Sequence, residues 1–280
     1  MLEFTVLASG SSGNCAFLKT PGARLLIDAG LSGKRIEQGL SGVGGSLAEI
    51  DGVFITHEHS DHVLGLTALA RRRNLPVYCN RLTMECLQPA LEGYDNWRLF
   101  ETGQTLTVGD VTIETFPVSH DAYDPVGYIF HHGLGSVGFL TDLGHATKLV
   151  IERVRRSRAL VLEANHDLQL LQQDTRRPWP VKQRILSRHG HLSNEAAAEL
   201  AVQIAGAHLE DLFLGHLSDD CNRPELAAQI IGDRLRAHGH HHVRLHPLEP
   251  SRAAATLRWT EARPPLPEVE TSAAEEPFLS

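Results

Sequence analysis

Thr56-His57-Glu58-His59-Ser60-Asp61-His62 sets three imidazoles and the Asp61 carboxylate within six residues. The apolar run Gly52-Val53-Phe54-Ile55-Thr56 before it reads as a buried strand. After it, Val63, Leu64, Leu66 and Leu69 recur at helical spacing up to Arg73. The motif therefore sits where a strand ends and a helix begins. Alternate side chains of extended backbone face the same way, so His57 and His59 can approach one metal ion. The turn that follows aims Asp61 and His62 at a neighbouring point. Mixed His and Asp donors suit borderline cations such as zinc, manganese or iron. Two such ions about 3.5–4 Å apart can hold a hydroxide nucleophile and stabilise a leaving oxygen.

Four ligands from one motif cannot complete two sites, so more are expected at later strand ends. His120 closes the strand from Val111, Asp142 the strand from Ser136, and His216 the strand from Asp211. Asp28 closes the short apolar run Arg24-Leu25-Leu26-Ile27.

The chain of 280 residues is 42% apolar and 21% charged, enough to close a substantial core and incompatible with disorder throughout. It has no run of roughly 18 apolar residues and opens without a basic flank and apolar core, so a cytoplasmic protein with no membrane segment is expected. Cys15, Cys79, Cys86 and Cys221 lie far apart with no C-x-x-C pair and are expected to be free thiols. A net charge of −8 argues against a uniformly cationic surface, although a local basic groove could survive within it.

Strands dominate the first half, from a hairpin of residues 2–7 and 15–19 to strands near 105–108, 111–118, 127–130 and 136–141. From residue 149 helix and strand alternate, with helices expected near 149–156, 181–188, 194–205 and 224–237. The pattern is α+β: two mixed β-sheets packed on each other, with helices outside. Five prolines after Pro247 and an acidic pair at Glu275-Glu276 suggest an extension over 247–280, poorly ordered from about 262. Residues 1–246 would form the catalytic domain.

With Asp28, the His57–His62 motif, His120, Asp142 and His216 in this order, the chain resembles the metallo-β-lactamase superfamily. The resemblance implies an αβ/βα four-layer sandwich with a dinuclear site at one edge between the sheets. It implies that His57, His59 and His120 bind one ion, that Asp61, His62 and His216 bind the other, and that Asp142 bridges. Asp28 would support the site by hydrogen bonding rather than coordinate.

The segments Ser9 to Asn14, Leu162-Glu163-Ala164-Asn165-His166-Asp167, Gly190-His191-Leu192-Ser193-Asn194 and Gly215-His216-Leu217-Ser218 resemble the YycJ/WalJ-like exonuclease branch. That branch implies a two-metal phosphodiesterase acting on DNA, a 5′-to-3′ exodeoxyribonuclease in repair, with metal-bound hydroxide as nucleophile. The paired H-L-S segments also resemble the late histidine motifs of ribonuclease Z. This resemblance implies that His191 assists the leaving group, the alternative being a helix N-terminal histidine beside the Ser193-Asn194 cap; Glu163 could orient or recharge it if the fold brings them together, or be a structural carboxylate, and Asp61 stands at the reacting centre. Cys221 stands where the family often has the first of two asparagines, and the gap from Asp142 to His216 has no room for the insertion of β-CASP nucleases.

DNA needs contacts beyond the metals. Lys182, Arg184 and Arg188 lead directly into His191 and are candidates for phosphates. Ser11, Ser12 and Asn14 could present hydroxyls and backbone N–H groups to a terminal phosphate, or form a plain turn. Asn194 and Asn222 complete the candidate substrate contacts. The group His238, His240, His241 and His242 lies outside the ordered motifs and reads as a loop. Two other readings remain at this level: a thioester or lactone hydrolase on the same metals, and a non-catalytic zinc-stabilised DNA-binding or signalling adaptor.

Overall fold

Strand alternation sends successive apolar side chains of one strand into different cores, and this division builds the molecule in layers. The computed structural model describes residues 1–249 and 252–262. The tail beyond 262, expected to be poorly ordered, lies outside the described residues.

The first half runs β1 (Leu2–Ala8), β2 (Cys15–Lys19), β3 (Arg24–Ile27), α1 (Gly33–Gly42), β4 (Gly52–Phe54), α2 (Ser60–Val63), α3 (Leu66–Arg73), β5 (Val77–Asn80), α4 (Arg81–Leu87) and β6 (Trp97–Phe100). The second runs β7 (Thr105–Val108), β8 (Val111–Pro117), β9 (Val126–His132), β10 (Gly135–Leu140), α5 (Lys148–Val154), β11 (Ala159–Glu163), α6 (Leu168–Gln173) and α7 (Trp179–Ile185). It continues with α8 (Asn194–Ile204), β12 (Asp211–Gly215), α9 (Pro224–Ala237), β13 (Arg244–Pro247) and β14 (Leu257–Trp259).

Two mixed sheets result, ordered β14-β1-β2-β3-β4-β5-β6 and β13-β12-β11-β10-β9-β8-β7. On β2, Ala16 and Leu18 face the space between the sheets while Cys15 and Phe17 face α1 and α3. On β11, Ala159 and Val161 enter the same inter-sheet core, and Leu160 and Leu162 pack with residues of α5, α8 and α9. The four-layer αβ/βα sandwich is thus present, with β3, β4, β10, β11 and β12 ending along one edge.

The structure moves some elements. The helix expected over 181–188 starts earlier, at Trp179, with Pro180 suited to the first turn, and stops at Ile185, whose carbonyl accepts the His191 N–H. β6, α6 and β14 carry too little periodicity to be read from sequence alone. The stretch after 246, set apart in sequence as an extension, contributes within its described part to both sheets. β13 ends at Pro247, Leu248 is buried, and β14 pairs antiparallel with β1, Leu2 opposite Trp259. Trp259 closes the inter-sheet core beneath the Arg158 guanidinium, 4.5 Å from the ring centroid. No helix among the described residues is long and apolar enough to cross a membrane.

Removing so large a buried ring leaves a cavity between the sheets. Trp259→Ala is expected to lower unfolding free energy by about 3–5 kcal/mol, read from urea titration. A midpoint unchanged from the parent would show that β14 adds nothing to the core.

Candidate functional site

Every side chain singled out at a strand end reaches the same edge of the sandwich. Three of them do so from a left-handed backbone: φ is 59° at Asp28, 59° at Asp142 and 53° at His216. Such a conformation costs a non-glycine residue about 1 kcal/mol or more and persists only where the surroundings enforce it. Here it turns the chain off the ends of β3, β10 and β12 and drops the side chain into the cleft. The first turn is locked by hydrogen bonds from Asp28 N to Phe54 O, Ala29 N to His62 O and Gly30 N to Asn14 O, each 2.8 Å. A Cβ on Gly30 would stand 1.6 Å from the Asp61 carbonyl oxygen, so only glycine lets these loops meet.

Among the described residues donor atoms converge in four overlapping groups: one joins His57, His62 and Asp142, one joins Asp142, Glu163, His191 and His216, and the other two are triads with no residue in common. In the first are His57, His59 and His120; in the second are Asp61, His62 and His216, and in each the donors lie within 4.8 Å of one another. His120 Nε2 is 3.3 Å from His59 Nδ1, and His216 Nε2 is 3.1 Å from Asp61 Oδ2. Asp142 stands between the triads, Oδ2 3.1 Å from His62 Nε2 and Oδ1 3.3 Å from His216 Nε2 and 3.7 Å from His120 Nε2. His57 Nε2 and Asp142 Oδ2 are buried without a well-aligned hydrogen-bond partner, a costly arrangement unless a cation completes it. The donor set therefore fits divalent ions. Among the described residues, no converging donor group includes the late histidines from His238 to His242.

Behind the donors lies a supporting layer. Asp28 Oδ2 takes the Nδ1 proton of His62 at 2.7 Å, which leaves Nε2 facing the cleft. Asp28 Oδ1 accepts from the Thr56 N–H at 2.8 Å, and the Thr56 hydroxyl sits 3.0 Å from both Asp28 oxygens. Asn165 Nδ2 donates to the His216 carbonyl at 2.9 Å. Sequence reading missed Thr56 and Asn165 as site residues, although both lie within motifs quoted above.

Glu163 and His191 come together as well. Glu163 Oε1 lies 2.7 Å from His191 Nδ1 and 3.1 Å from His216 Nδ1, while Oε2 accepts the N–H groups of Leu143 and Leu192 at 2.9 and 3.2 Å. One buried carboxylate thus orients a histidine of the second triad and a histidine outside both triads. The close approach depends on Gly144 and Gly190, where a Cβ would meet Ser187 O at 2.3 Å and Ile185 O at 2.2 Å.

Charge balance sets the protonation of these groups. Burial works against ionisation at every group, yet the paired charges prevail at several. His62 is held well above the ordinary imidazole range by Asp142 and Asp28, and His216 rises to about 10 beside Asp142, Asp61 and Glu163. Burial and the His62 charge keep His57 well below that range. Asp142 and Asp61 are drawn well below the usual carboxylate range against their burial by neighbouring histidines, and Glu163 falls to about 2. His191 is raised, because the Glu163 charge outweighs desolvation. The raised imidazoles of the second triad, His62 and His216, are those whose protons a cation there would displace.

The substrate candidates divide. Ser11 and Ser12 are exposed beside the site, but Asn14 is buried, its Nδ2 3.1 Å from His62 Nε2, and acts as a brace for the loops. Lys182 does not face solvent: it is 7% exposed and donates to Gln172 O at 2.8 Å, because its position in α7 points back toward α6. Arg184 is exposed and pairs with Asp121, and Arg188 is exposed. Asn194 and Asn222 are buried and exchange hydrogen bonds of 3.0 and 2.8 Å, so this amide pair welds α8 to the loop after His216 and leaves neither side chain for substrate.

The chain is similar to known proteins along most of its length. A model of the beta-lactamase superfamily domain matches residues 23–216. The chain is 38% identical over 240 residues to exodeoxyribonuclease YycJ of Bacillus anthracis, covering 85% of this chain and 90% of that protein. It is 40% identical over 237 residues to exodeoxyribonuclease WalJ of Streptococcus pneumoniae, covering 83% and 88% respectively. The metallo-beta-lactamase fold protein YhfI of Bacillus subtilis superposes with a TM-score of 0.66 at 17% identity, covering 92% of this chain and all of that one. Zinc-bound PqqB of Methylobacterium extorquens gives 0.68 at 14% identity, covering 91% and 99%.

Since ligands must be deprotonated to bind, cations must displace the protons held by His62 and His216. Both imidazoles are raised, so the competing proton is present below their elevated values and weakens as pH climbs toward them. Divalent-ion binding is expected to release protons and to tighten from mildly acidic to alkaline buffer. Calorimetry in buffers of different ionisation enthalpy measures this, and binding without proton release would contradict it.

Proposed function

Because this chain belongs to the metallo-β-lactamase superfamily and is similar along most of its length to the YycJ and WalJ exodeoxyribonucleases, we propose that it hydrolyses phosphodiesters of DNA. The reading extends to stepwise 5′-to-3′ degradation in DNA repair. The observation that carries it is the Glu163 carboxylate, shared between His216 and His191, which couples the donor cluster to a histidine suited to proton transfer. His57, His59 and His120 would hold one ion and Asp61, His62 and His216 the other, with Asp142 between them. Zinc and manganese suit these donors and iron is also compatible. When bound, such ions supply an activated water and neutralise charge on the phosphate.

The remaining steps belong to the chain itself. Glu163 fixes Nδ1 of His191, so Nε2 is the ring nitrogen left to meet substrate. A proton held there can pass to the departing sugar oxygen, which would otherwise leave as a costly alkoxide. The His191 side chain is 21% exposed, open enough for contact yet shielded enough to keep its orientation. Asp61, 22% exposed where Asp142 is 3%, is placed to accept a hydrogen bond from incoming water.

Cleavage of 5′- and 3′-labelled single- and double-stranded DNA tests this, using protein loaded separately with manganese or zinc. Stepwise loss from the 5′ end is expected. Asp142→Ala should lose metal and activity together. His191→Ala should keep its metal and lose about 10²–10⁴-fold in turnover. Loss of metal in the His191 variant would make that residue a ligand and end its role as proton donor. Thioester or lactone turnover without DNA cleavage would move the reaction to acyl transfer.

A further inference from the structure

Two elements that lead into the donor cluster hold large rings out in solvent. Tyr123 is 71% exposed and Trp179 is 60% exposed. An exposed aromatic ring offers a flat face on which a base can stack. Neither ring hangs on a loose terminus. Tyr123 follows His120 by three residues, and its N–H donates to Glu58 Oε1 at 3.0 Å, so its backbone is tied to the residue between His57 and His59. Trp179 opens α7, whose last residue, Ile185, accepts the His191 N–H. The helical rise separates its backbone from that of Ile185 by about 9 Å along the axis.

The two elements are also clasped together. Asp121 N donates to His189 O at 3.0 Å, and the Asp121 carboxylate pairs with Arg184. Arg188, between α7 and His191, is exposed and has no acidic partner among the described residues. Tyr123, Trp179 and Arg188 thus belong to two tied segments that run directly to His120 and His191. Of α7 only Lys182 is buried, so this helix spends its apolar Trp179 on the surface rather than in a core.

That combination selects an occupant. An unpaired nucleic-acid strand offers base faces to the rings and phosphates to Arg188. A duplex keeps its base faces stacked inside and presents only backbone and groove edges. We propose that Tyr123 and Trp179, with Arg188, form a stacking platform for single-stranded DNA whose end enters the donor cluster. The preferred substrate is then an unpaired or frayed end. This rests on the nuclease reading above and specifies the form of DNA it takes.

The test measures kcat/KM of the manganese-loaded enzyme on a 5′-labelled single strand and on the corresponding blunt duplex. Tyr123→Ala and Trp179→Ala are each expected to lose about 5- to 100-fold on the single strand, carried by KM, and far less on the duplex. Tyr123→Phe and Trp179→Phe, which keep a ring, should restore most of the loss. Equal losses on both substrates, or none, would overturn the platform while leaving the nuclease reading intact. Cleavage of neither DNA by the unaltered enzyme would sink the nuclease reading and the platform with it. Sedimentation of the unaltered chain as a dimer that Trp179→Ala dissociates would assign the rings to a second copy instead.

Discussion

Buried negative charge is the constraint around which this molecule is organised. Asp28, Asp142 and Glu163 are each no more than 2% exposed, and a carboxylate removed from water must be matched by positive charge or by hydrogen bonds. The chain meets the requirement with imidazoles, each able to accept a proton or to release it in favour of a cation. Asp28 is answered by His62 and Thr56, Asp142 by His62 and His216, and Glu163 by His191, His216 and two backbone N–H groups. At His62 and His216 the proton and a divalent cation would compete for the same nitrogen.

Bringing these groups to one point takes the whole sandwich. The strands that deliver them belong to two different sheets, and the inter-sheet core of Phe4, Tyr128, Phe130 and Phe213 sets how those sheets meet at the edge. The left-handed turns after β3, β10 and β12 then exchange local backbone cost for side-chain direction. Gly30, Gly144 and Gly190 serve the complementary purpose, since a Cβ at any of them would collide with backbone of the loop it faces. Strain and close approach are concentrated at the edge where chemistry is expected, and the strands behind it are regular.

The same architecture explains how one carboxylate can serve two histidines. Glu163 ends β11 between β10 and β12, so Leu143 just past one neighbour and His216 just past the other both fall within hydrogen-bond reach. His191 arrives on the loop after α7, held by Gly190 and by its own N–H to Ile185. Family membership supplies the enzyme class.

The sequence alone pointed to the candidate donor set, because His57, His59, Asp61 and His62 are consecutive enough for backbone periodicity to align them. It also exposed Asp28, His120, Asp142 and His216, since each ends an apolar run whose length identifies a strand. Two sheets with outer helices followed from the same alternation. Only the tertiary structure decided the fate of the polar side chains in between. Lys182 turned inward to a carbonyl, Asn194 and Asn222 closed on each other, and Asn14 became a brace, because solvent access depends on packing between segments distant in the chain. β14 was hidden for the same reason: three residues form a strand only when β1, some 250 positions earlier, offers its edge. Periodicity is local and can be read along the chain, whereas burial and charge pairing exist only after the segments meet.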